Sequence, residues 1–103
     1  MRYINNKGEN KVIKIFKDKE AEKIYNGLFS KKLPGNIQDA ARRRLKYLNA
    51  AVRLDDLRVP PSNHFEALRG DREGQYSIRI NNQWRIVFAW DDGAENVKIE
   101  DYH

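Results

Sequence analysis

QYSIRINNQWRIVFAW, residues 75–90, reads as two short strands around a polar turn. The register of that hairpin decides the fold. With Asn81–Gln83 as a three-residue loop, Ile80 faces Trp84, Ile78 faces Ile86 and Tyr76 faces Phe88. All six apolar side chains then share one face, which must be the core. A two-residue Asn81-Asn82 loop would set Ile78 against Arg85 and mix the faces. A slip of one residue turns every side chain to the wrong side, so the pattern selects the three-residue loop.

The same register predicts that Arg79 lies directly opposite Arg85 on the other face. Such cross-strand neighbours have Cβ atoms about 4.5–5.5 Å apart, and like charges there repel. Either a nearby carboxylate offsets the repulsion or an anion fills the gap during function. Ser77, Val87 and Ala89 are small neighbours that leave the guanidiniums in a shallow hollow. A phosphate matches paired arginine forks in shape and charge.

Outward from the hairpin, residues 96–102 read as the closing strand. Val97 and Ile99 face the core, and alternation puts Lys98, Glu100 and Tyr102 on the arginine face. Upstream, residues 64–68 read as a short strand, and Val59-Pro60-Pro61-Ser62-Asn63 as an extended loop, because two prolines do not suit an element interior.

The first half of the chain is helical. Asn36 is placed to cap a helix in which Ile37, Ala41, Leu45, Leu48 and Val52 share one face. Arg42, Arg43 and Lys46 lie off that face, as a solvated surface or as a phosphate-facing stripe. Asp18 is placed to cap an earlier helix carrying Ala21, Ile24, Tyr25 and Leu28, with Asn26-Gly27 as its stop. Residues 12–16 have strand composition, and residues 1–10 read as a flexible N-terminal extension to a single domain over 11–103. One strand, two helices and a run of strands predict an α+β domain, its helices packed on a mostly antiparallel sheet.

Composition narrows the function. The chain has 103 residues and no cysteine, which excludes disulfides and thiolate metal sites and fits a reducing cytoplasm. Its longest purely apolar run, 86–90, is too short to span a bilayer, and no signal-peptide pattern opens the chain. The histidines, His64 and His103, carry no ligand spacing, so neither a metal nor another cofactor is expected. Residues 1–53 hold fourteen Lys/Arg against five Asp/Glu, and residues 54–103 hold six against ten. The basic half points to a polyanionic partner or to a solvated surface.

The stretch NHFEALRGDREGQYSIRINNQWRIVF, 63–88, resembles the HigB toxins, a branch of the RelE-like superfamily. The linked pattern L-x-G-x-x-x-G-x-x-S-I-x-x-N-x-x-W-R-x-x-F, with Asp101-Tyr102-His103 closing the chain, carries the resemblance, which extends from about residue 16 to the end. It implies a RelE-like fold and a toxin of a type II toxin–antitoxin system, a translation-inhibiting mRNA interferase. Such an endoribonuclease cuts mRNA in the ribosomal A site without a metal, by attack of the 2′-hydroxyl on the adjacent phosphate. The implied partners are the ribosome, its mRNA and a HigA-like helix-turn-helix antitoxin, through which alone operator DNA would be bound. Carried over, Arg85 is the phosphate clamp, with Arg79 on the neighbouring strand and Arg69 at a position often basic in relatives. Glu66 stands where relatives often have histidine, leaving Glu66, Tyr102 and His103 as alternative bases. The competing expectations are a catalytically inactive RelE-fold module that binds antitoxin or RNA, and a DNA-binding protein, for which no recognition motif is present.

Overall fold

The computed structural model describes residues 3–4, 10–11 and 13–102, with side chains described over 13–102. In chain order the elements are β1 (Tyr3–Ile4), β2 (Asn10–Lys11), α1 (Lys19–Tyr25), α2 (Gln38–Ala50), β3 (Glu66–Ala67), β4 (Gln75–Arg79), β5 (Trp84–Trp90) and β6 (Ala94–Asp101). The last four form one antiparallel sheet in the order β3-β4-β5-β6, and both helices pack on one of its faces. The fold is α+β, as the element order predicts.

The hairpin adopts the expected register, pairing Tyr76 with Phe88, Ile78 with Ile86 and Arg79 with Arg85. Asn81 builds the turn: its Oδ1 accepts from the backbone N–H groups of Gln83 and Trp84, both at 2.8 Å. Ile78, Ile80, Ile86 and Phe88 are buried on the helix side with Val97 and Ile99. They meet Ala21 and Ile24 of α1 and Ala41, Leu45 and Leu48 of α2. Fully burying such a side chain contributes about 1.5–3 kcal/mol, so this seam holds the two layers together.

Asp18 caps α1 as predicted, accepting from the Glu20 N–H at 2.9 Å. Leu28 departs from its expected face: the helix stops at Tyr25, Gly27 turns with φ +84°, and Leu28 is 57% exposed. Asn36 does not cap α2 but lies inside a 3-10 turn, Gly35–Ile37, that leads into the helix. Val52 falls beyond the end of α2 and is 62% exposed. In both cases the apolar periodicity outruns the helix.

Of the strand expected over 12–16, Val12 lies outside the described residues, and residues 13–16 run parallel to β6 through separate bridges, Ile13 to Ala94 and Phe16 to Val97, in place of a continuous strand. The bridges flank a bulge in β6, where Asn96 adopts φ +52° and the pairing with β5 skips a residue. Tyr3–Ile4 of the expected N-terminal extension pair antiparallel with β2, which spans its end at Asn10–Lys11; the rest of the extension lies outside the described residues. The 59–63 stretch also differs from a fully extended loop, since Pro61–Asn63 form a 3-10 turn. Pro61 fits its first position because a proline lacks only an N–H that has no partner there.

Candidate active site

The sheet face away from the helices carries the site. Strand alternation puts Ser77, Arg79, Arg85, Val87, Lys98 and Glu100 there, with Glu66 of β3 opposite Ser77. Ser77 and Val87 are buried even on this outer face, because longer side chains cover them.

Arg85 is the centre of that cover. Its Nε donates to Ser77 Oγ at 2.7 Å, and a terminal nitrogen donates to the His64 carbonyl at 2.5 Å. Its guanidinium carbon sits 5.3 Å from the centre of the Tyr102 ring, a cation–π contact. Burial pulls its pKa below the ordinary arginine value, opposed by Glu66 and Tyr102 and aided by Arg79. Arginine still keeps its charge at any working pH. The result is a partly desolvated cation fixed in direction by neutral groups.

Arg79 takes a different course, which relieves the repulsion the register imposes. It leans to the turn, donating to Asn82 Oδ1, and one terminal nitrogen lies 3.4 Å from His64 Nε2. Both arginines therefore meet at His64, one at the ring and one at the carbonyl. His64 was not singled out from sequence as a site residue. Its signal was faint: a lone histidine directly after a Pro-Pro-Ser-Asn turn.

The loop that presents His64 is pinned from beneath. Asn63 is fully buried, and its Nδ2 donates to the carbonyls of Leu57 and Val59 at 3.1 and 3.3 Å. Arg44 of α2 donates to its Oδ1 at 2.6 Å. His64 follows in the left-handed region at φ +44°, which turns its carbonyl toward the sheet. That conformation is uncommon outside glycine, and histidine is among the residues that tolerate it better.

Tyr102 closes the site as the alternation predicted. Its backbone N–H donates to the Gln83 carbonyl at 2.7 Å, and its hydroxyl donates to Glu66 Oε1 at 3.2 Å. Burial raises the phenol's pKa above its ordinary value, and the neighbouring Glu66 carboxylate raises it further. Tyr102 thus carries its proton at neutral pH, next to a carboxylate able to accept one. Beyond β3, Glu66 and Arg69 line a cleft of about 770 Å³ that also includes Phe65, Leu68 and Tyr76.

Arg79, Arg85, Glu66 and Tyr102 are therefore brought together, with Arg69 on the cleft that Glu66 also lines. The α2 cations are not. Arg42 donates from Nε to the Ile24 carbonyl at 3.0 Å and pairs with Asp39. Lys46 lies 4.2 Å above the Tyr25 ring, while Arg43 is exposed. All three belong to the helical layer, across the sheet from Arg85. His103 lies outside the described residues. Among the described residues, no group of three or more His, Cys, Asp or Glu is placed to hold a metal ion.

Two helices on one face of a four-stranded antiparallel sheet, with Arg79 and Arg85 on the other, fit the RelE-like class of fold. Residues 14–103 match the family described as RelE-like toxin of type II toxin–antitoxin system HigB, and the chain belongs to that family. It is similar to Toxin HigB-1 of Vibrio cholerae, with 46% identity over 80 residues, covering 77% of this chain and 84% of the relative. It is also similar to Endoribonuclease HigB of Proteus vulgaris, with 31% identity over 93 residues, covering 89% of this chain and all of the relative.

Proposed function

We propose that this toxin is an endoribonuclease that cleaves mRNA on the ribosome, in the A site, and is held inactive by a helix-turn-helix antitoxin of the HigA type. The observation that carries the reading is the fixed Arg85 guanidinium beside the Tyr102–Glu66 pair. In-line RNA cleavage needs a base at the 2′-hydroxyl, cations for charge on the pentacoordinate phosphorus, and a proton for the leaving oxygen.

Once the scissile phosphate enters between Glu66 and Tyr102 and opens their 3.2 Å hydrogen bond, these side chains meet each need. Glu66 takes the proton of the 2′-hydroxyl as its oxygen attacks the adjacent phosphorus. Arg85, with Arg79 beside it, binds the non-bridging oxygens as their charge grows. The Tyr102 hydroxyl gives its proton to the departing 5′ oxygen as the P–O bond breaks. The products are a 2′,3′-cyclic phosphate and a 5′-hydroxyl end. No step asks for a metal ion. Acting on ribosomes, the toxin works in the cytoplasm.

A reconstituted translation reaction tests this directly. Mapped RNA ends are expected within the A-site codon, carrying 5′-hydroxyl groups, and only with ribosomes present. Cleavage of free RNA at the same rate would overturn ribosome dependence. Intact mRNA at saturating protein would mean a RelE-fold binding module that does not cut.

A further inference from the structure

Glu100 lies directly across from Arg85 in the β5–β6 ladder. Opposite charges at such positions ordinarily pair. Here they do not. Both Glu100 oxygens are taken by the terminal nitrogens of Arg72, at 2.7 and 2.9 Å, and Oε1 also meets Lys98 Nζ at 3.1 Å. Arg85 is held by neutral groups, namely the Ser77 hydroxyl, the His64 carbonyl and the Tyr102 ring. Among the described residues it makes no ion pair.

We propose that Arg72 is a positioning residue that sequesters Glu100, so that Arg85 has no carboxylate in contact with it and stays ready for the substrate phosphate. A carboxylate resting on Arg85 would have to be displaced by the phosphate, and much of the clamp's attraction would be lost in the exchange. A bidentate arginine–carboxylate fork is the strongest common way to hold Glu100 elsewhere. The fold supplies the arginine from outside the sheet. Gly70 and Gly74 adopt φ +67° and +94°, conformations that disfavour a side chain, and bracket the turn bearing Arg72. Arg72 lowers the pKa of Glu100, Lys98 adds to that, and Glu100 raises that of Arg72 in return. Both groups stay charged through the neutral range.

This inference rests on Arg85 as the phosphate clamp, and its test separates the two. Cleavage in the translation reaction is measured for the unaltered chain, Arg85→Ala, Arg72→Ala, Arg72→Lys, Glu100→Gln and the double variant Arg72→Ala/Glu100→Gln. Arg72→Ala should lower the rate about tenfold, less than the 10²–10³ expected for losing a direct transition-state donor. Arg72→Lys should recover part of it, since a lysine holds only one oxygen. The decisive comparison is the double variant. With the carboxylate gone, Arg85 is free again, and cleavage should return to the level of Glu100→Gln alone. If the double variant stays as slow as Arg72→Ala, Arg72 either braces its turn or touches RNA itself, and the proposal is wrong. Thermal unfolding of each variant identifies the bracing case. If Arg85→Ala cleaves as fast as the unaltered chain, the clamp reading fails first.

Discussion

Arg85 illustrates how one side chain acquires a role from its neighbours. A guanidinium on an exposed strand is mobile and well solvated. This one is fixed by Ser77, the His64 carbonyl and the Tyr102 ring, so the proposed mechanism asks little reorganisation of it when phosphate charge develops. Arg85→Ala should lower single-turnover cleavage about 10²–10³-fold without loss of fold. Arg85→Lys should restore little, because an ammonium cannot reproduce the fork. Near-normal rates for both would make Arg85 structural. Tyr102 carries a separate expectation. Tyr102→Phe keeps the ring over Arg85 but removes the hydroxyl proposed as proton donor, and should slow cleavage about 10²-fold. Because burial and Glu66 raise the phenol's pKa, it loses its proton only above its ordinary value of 10.0. An alkaline decline due to Tyr102 must therefore lie above that pH and be absent from Tyr102→Phe. A decline near neutrality that persists in the variant would assign it to another group.

Elements deliver these residues with different degrees of security. The β4–β5 hairpin is held by its apolar seam and by the Asn81 turn, so Arg79 and Arg85 are placed by sheet geometry. His64 depends instead on the 59–64 loop, which is organised around buried Asn63. Asn63→Ala removes the donor to Leu57 and Val59 and the acceptor for Arg44. Leaving such groups unsatisfied should cost about 1–3 kcal/mol in chemical denaturation. It should also slow cleavage, because the His64 carbonyl no longer orients Arg85. A variant that loses stability but cleaves normally would show that the carbonyl contact is dispensable.

Among the described residues, the sheet separates two surfaces that carry basic side chains. One is the arginine face. The other belongs to α2, where Arg42 and Lys46 also serve internal contacts, with the Ile24 carbonyl and the Tyr25 ring. Reversing exposed charge on α2, as in Arg43→Glu with Lys46→Glu, should weaken ribosome association and flatten its salt dependence. Single-turnover cleavage at saturating ribosomes should be unaffected, since those residues sit across the sheet from Arg85. Unchanged binding across a salt titration would make the stripe a solvated surface. A fall in the saturated rate would mean that the helix reaches the reaction.

The sequence by itself determined the hairpin register, the core face and the meeting of Arg79, Arg85 and Tyr102 on one side. Strand alternation is local and strict, so a single apolar pattern propagates to both faces. The same logic placed the core of α2, and it overran the helix ends at Leu28 and Val52 because periodicity contains no stop. Only the tertiary structure decided what the arginines do. It brought the His64 carbonyl to Arg85, turned Arg79 to Asn82, set Glu66 against Tyr102, and assigned Glu100 to Arg72 in place of its cross-strand neighbour. Those partners come from turns whose paths depend on buried hydrogen bonds and left-handed residues, and no periodicity encodes where such a turn ends up.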